Sequence, residues 1–161
     1  MLSPATFIHA VAALFTEAYE GPQDGSSYWF TDNQAGALLP TLSSLSAEEA
    51  STSLDGSGMP GSTIAAHAEH LRWSLALSNA LARGEHPNVD WEESWSVRTV
   101  DTEEWNRLRD ALREEYQRLL EAIQTRTDLP AELVTPGIAI VAHGAYHLGA
   151  IRQMVGLLRR A

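Results

Sequence analysis

Between residues 101 and 126 the apolar side chains Trp105, Leu108, Leu112, Tyr116, Leu119 and Ile123 recur at intervals of three and four. That spacing lays them along one side of an α-helix and fits no strand, whose faces alternate every two residues. Asp101, with Glu104 three positions on, has the form of a capping box. The opposite side carries Glu103 with Arg107 and Glu114 with Arg118, i,i+4 pairs of favourable polarity worth only ~0.2–0.5 kcal/mol each. A chain with one such stripe must cover it with other elements, and three further segments have the same period. Ser3-Pro4 reads as an N-cap with proline in the first turn, followed by Phe7, Val11, Leu14, Phe15 and Ala18 up to Gly21-Pro22. Ser62 or Thr63 caps a helix that Gly84 ends, and Thr135-Pro136 repeats the cap-and-proline pattern before a last helix with Arg159 and Arg160 near its negative end. The spacing therefore predicts helices near 4–19, 62–83, 102–126 and 136–160. Residues 20–61 are too long for a structureless connection, which places a short helix over 35–45 and another over 47–53. The stretch 95–100 is β-like but too short to establish a sheet. The expected fold is one all-α domain over 1–161, a four-helix bundle with long crossover connections.

Composition narrows the chemistry. The 161 residues are 44% hydrophobic and 20% charged, with no uninterrupted apolar run near the ~20 residues that span a bilayer, so a globule and not a membrane protein is expected. Cysteine is absent, which removes disulfides, thiolate nucleophiles and thiolate ligands; lysine is absent too, which removes Schiff-base chemistry and a P-loop. The net charge of −10, with only short local groups of arginine, argues against nucleic-acid partners. The N-terminus lacks the basic and apolar regions of a signal peptide, and the expected location is the cytoplasm.

Without cysteine a metal needs His, Asp or Glu, and the histidines are unevenly placed. His143 and His147 lie four apart on one helix side with Ile140, Ile151, Met154 and Leu158. His67 and His70 fall in the broad apolar sector of the second long helix with Ile64, Leu71, Leu77 and Leu81, and wheel geometry does not separate them as inward-facing residues. Buried imidazoles without partners are costly, and a divalent ion held by the i,i+4 pair and one histidine across the bundle removes the cost while leaving a position open. Interior histidines bonded to a carbonyl or a tyrosine are the plain alternative. A zincin motif fails, since Gly144 follows His143; a carboxylate-bridged di-metal centre fails, since Glu69 directly precedes His70. No G-x-S-x-G occurs, and His9 and His86 are expected in solvent. Trp29, Trp91 and Trp95 come from connections and are candidates for pocket walls.

Thr63-Ile64 with His70 seven residues after the threonine, and His143, His147, Gly149 and Ile151 in the last helix, resemble the DinB/YfiT-like metalloprotein superfamily. The likeness runs through nearly the whole chain in helix order, including SYWFTDNQAGALL and TVDTEEWNRLRDAL. It implies a four-helix bundle, often a homodimer, whose three histidines hold one divalent metal, zinc, nickel or another ion. By motif position the ligands are His70, His143 and His147, with His67 a spare imidazole of catalytic potential. Ala150 stands where many members carry glutamine. Members include S-transferases that use low-molecular-weight thiols such as bacillithiol or mycothiol, and a mycothiol-dependent maleylpyruvate isomerase. The implied function is thiol-dependent S-transfer to a small-molecule substrate. The alternatives are hydrolysis by a metal-bound hydroxide with His67 as proton shuttle, and a non-catalytic metal-binding or dimerising bundle. An open three-histidine metal would let an external thiol act where a cysteine-free chain has no sulfur nucleophile.

Overall fold

The computed structural model describes residues 3–28, 30–54 and 56–160. Among these, six α-helices form and no strand does: α1 (Pro4–Glu20), α2 (Leu38–Ser43), α3 (Ala47–Ser51), α4 (Ile64–Ala82), α5 (Thr102–Gln124) and α6 (Ala131–Leu158), with 3-10 turns at Gln34–Gly36 and Glu93–Trp95. The caps are those legible in the sequence. Ser3 accepts from the Thr6 N–H, Thr63 from the Ala66 N–H, and Asp101 and Glu104 bond reciprocally to each other's backbone. One boundary differs from expectation. The last helix begins at Ala131, five residues before Pro136, which lies inside it. Pro130 ends the preceding loop, and Glu132 sits favourably in the positive first turn. Pro136 has no N–H to give the Glu132 carbonyl, and both residues are exposed, which lowers the cost of the missing bond. The helix expected over 35–45 is shorter than its sequence signal, a 3-10 turn followed by α2.

Contact registers give the helix directions. Thr63 Oγ1 donates to the Arg98 carbonyl just before α5, and the Asn79 side chain donates to the Glu115 carbonyl further along; the separations, 35 and 36 residues, are nearly equal, so α4 and α5 run parallel. His67 meets His147 while His70 meets His143, so α4 and α6 run antiparallel. Gly137 faces Phe7 and Gly144 faces Tyr19, so α1 and α6 run the same way. A parallel α4–α5 pair obliges the chain between them to travel back along the bundle, and this crossover passes over the N-terminal half of α4.

The core is built on Phe15, Tyr19 and Tyr116, with Tyr19 stacked on Tyr116 at 4.7 Å. Trp105 is buried and donates its Nε1–H to the Leu45 carbonyl, fastening the α2–α3 segment to α5. Glu17, 2% exposed, accepts from Ser27 Oγ and from the Tyr28 and Phe30 N–H groups, drawing the chain after α1 onto the bundle. Burial pushes its pKa up, and the hydrogen bonds together outweigh burial and hold it below 4.5. The broad apolar sector of α4 is largely covered within the chain: Ile64, Ala65, Ala68, Leu71 and Leu75 are all buried, and Leu81 alone of the residues named for that sector is strongly exposed. The α6 helix is long and apolar enough by length and composition to cross a membrane, a property it shares with the core helices of globular bundles.

Candidate metal centre

The first two turns of α4 bring His67 and His70 against His143 and His147 in the middle of α6. His143 Nε2 lies 3.1 Å from His70 Nε2 and 3.0 Å from His147 Nε2. One ring nitrogen from each of these three residues lies within 4.8 Å of the other two. His70 and His147 are buried and His143 is half-buried, so the cluster opens to solvent on the His143 side.

The groups behind the rings determine which nitrogens carry protons. Ser94, fully buried, gives its hydroxyl proton to the Trp91 carbonyl at 2.7 Å. Its oxygen is left to accept, and it does so from His70 Nδ1–H at 2.8 Å. His70 Nε2 then presents a lone pair to the cluster. A second relay does the same for His147. His67 Nε2–H donates to the Gly61 carbonyl at 3.1 Å, so His67 Nδ1 accepts from His147 Nδ1–H at 2.8 Å, and His147 Nε2 also presents a lone pair. His143 Nε2 carries at most one proton, which cannot bridge to both neighbours. At least one of the two short contacts therefore has no proton along it and holds two ring nitrogens together without a hydrogen bond, an arrangement that a cation relieves.

The electrostatics agree with that donor set. Burial and the neighbouring rings lower the His147 pKa to about 3 and the His70 pKa to about 4, and burial lowers those of His67 and His143. All four rings are neutral at pH 7, the form in which imidazole ligates. A tetrahedral ion with nitrogens at ~2.0–2.1 Å holds them ~3.3 Å apart, close to the 3.0 and 3.1 Å found here. The group is compatible with binding a metal ion.

The four histidines named from sequence are all at this place. His70, His143 and His147 converge, while His67 stands behind His147 with both nitrogens engaged. His9 and His86 are exposed. Trp95 stacks on His70, with ring centres 4.1 Å apart and planes 15° apart, and meets His67 edge-on; Trp91 lies 6.3 Å from His70. Trp29 lies outside the described residues. Sequence reasoning did not find Ser94, Gly61 or Tyr146, whose ring meets His147 edge-on at 5.0 Å. Gly61 had a legible signal in its Pro-Gly turn: its φ is +79°, and a β-carbon there would stand 3.2 Å from the Trp95 ring.

A family model described as the DinB superfamily matches residues 31–151, a span that contains all four histidines of the cluster. No curated protein and no solved structure matches the chain.

Proposed function

The chain belongs to the DinB superfamily, and from that premise we propose a metal-dependent enzyme in which His70, His143 and His147 hold a divalent ion, zinc or nickel. Its reaction is transfer of the sulfur of a low-molecular-weight thiol to a small electrophile. The observation that carries this reading is the convergence of three imidazole nitrogens, two with lone pairs imposed from behind, in a chain without cysteine. A divalent ion at that point supplies the positive charge that favours the deprotonated form of a thiol near neutral pH. Ser94 and His67 orient the two buried ligands. Trp95 covers one face of His70 and keeps water from it, and the half-buried His143 marks the side from which a co-substrate approaches. In the transfer, sulfur bonds to carbon, the thiol proton passes to solvent, and the leaving group departs with its bonding pair.

Hydrolysis with His67 as proton shuttle fits less well. A shuttle needs a ring nitrogen facing the reacting atoms, and those of His67 face the Gly61 carbonyl and His147.

The test is metal analysis of the purified protein, followed by addition of small thiols to its cobalt-loaded form. One ion per chain and a thiol-dependent absorption change are expected. His70→Ala, His143→Ala and His147→Ala should each lose the ion, while His67→Ala should retain it at saturating metal. Full occupancy after loss of either α6 histidine refutes the shared centre; a metal-loaded protein whose spectrum ignores thiols refutes S-transfer.

A further inference from the structure

Two large side chains that the fold leaves uncovered stand against the histidine cluster. Trp91 is 55% exposed and Tyr146 is 70% exposed. They come from different parts of the chain, the crossover and α6, and each meets a different histidine ring, His70 at 6.3 Å and His147 at 5.0 Å. Trp91 is also held in place: its carbonyl accepts the Ser94 hydroxyl, and its indole leans on Trp73 with ring centres 5.1 Å apart. An indole fixed with half its surface in water forgoes burial that a flat ligand would restore.

The charges around it select the ligand's sign. Asp90, Glu92 and Glu93 flank Trp91 and are exposed. Arg72, the arginine near Glu93, is paired through two nitrogens with Glu69 at 2.7 Å, so these residues taken together keep a net negative charge. The setting suits a ring without negative charge, and a cationic ring gains further from the indole face.

We propose that Trp91 and Tyr146 form the binding wall for a planar aromatic substrate, neutral or cationic, presented to His70, His143 and His147. The inference rests on the reading of this cluster as the reaction centre and assigns the electrophile its class. It does not depend on metal for its test.

Binding of 2-naphthylmethylammonium, 2-naphthoate and cyclohexylmethylammonium to chelator-treated protein is measured by calorimetry. The naphthylmethylammonium should bind saturably, with the carboxylate and the non-aromatic amine each much weaker. Trp91→Ala and Tyr146→Ala should each weaken it roughly tenfold, and Trp91→Phe should keep most of the affinity. Equal binding of the three probes, or affinity for the naphthyl amine untouched by Trp91→Ala and Tyr146→Ala in proteins of unchanged helical content, overturns the assignment. Because thiol titration of the cobalt form is a separate measurement, loss of S-transfer and loss of the aromatic wall are told apart.

Discussion

A hydroxyl has one proton to donate, and Ser94 gives it to the Trp91 carbonyl, which leaves its oxygen for His70 alone. Replacing this side chain removes the acceptor that keeps the His70 proton on Nδ1. Ser94→Ala should lower metal affinity ~10–100-fold, measured by chelator competition, and Ser94→Thr should restore most of it. In the metal-free protein, nitrogen NMR of the imidazoles should show His70 losing its single tautomer in the alanine variant. Unchanged affinity together with an unchanged tautomer would mean that Ser94 only fills space. His143 and His147 were legible because the i,i+4 relation is local and survives without tertiary structure. Ser94 was not, since a serine among the loop residues 84–100 shows nothing of the ring it will face. The choice between His67 and His70 escaped the helical wheel for the same reason: both rings point inward, and only their partners outside the helix, Gly61 in the turn before α4 for one and Ser94 in the crossover for the other, distinguish them. Glu17 was hidden too, as a carboxylate beside the apolar stripe of α1 whose partners lie ten to fourteen residues further on.

The caps of α1, α4 and α5 were readable because a cap is a contact between residues three apart. The start of α6 was misread because Thr135-Pro136 is a good beginning taken alone, whereas the chain reaches its helical path at Ala131. The glycines of α6 separate local propensity from packing. A β-carbon on Gly144 would lie 2.8 Å from Tyr19 Cε2, and that ring is stacked on Tyr116 and cannot retreat; nothing lies within 4 Å of the same atom at Gly149. Gly144→Ala should therefore destabilise the fold by ~1–3 kcal/mol in urea titrations, while Gly149→Ala should leave stability equal or raise it by up to ~1 kcal/mol. Equal effects at the two positions would show that α6 does not pack against α1 as described.

Across the molecule, the all-α class followed from periodicity, but the parallel pairing of α4 and α5 did not, since helix direction depends on where a long connection lies. The whole chain also carries a pH dependence. The buried histidines titrate near 6.5 when unfolded and, in the folded metal-free protein, at about 4 for His70 and about 3 for His147. Between those values the unfolded chain binds more protons, so stability is fully present above pH 6.5 and falls as pH drops toward 4, by at most ~1.4 kcal/mol per pH unit for each histidine. Glu17 adds to the loss as pH falls below its ordinary 4.5, where the carboxylate of the unfolded chain takes up a proton that the hydrogen-bonded one in the fold resists. Urea midpoints in chelator at pH 7.5 and 5.5 should differ accordingly, and equal midpoints would contradict the buried neutral rings. The crossover described above has a consequence of another kind. Beyond its first two residues, which bond the end of α4, the stretch 84–100 is fastened to α4 and α3 by Ser94 to His70, Arg98 to Thr63 and Val100 to Ser51, while contributing Trp91 and Trp95 to the surroundings of the histidines. The proposed wall is thereby divided between this segment, which carries Trp91, and α6, which carries Tyr146, so a lineage can alter what it recognises by exchanging exposed residues of the crossover while Ser94, the helices and their histidines stay as they are.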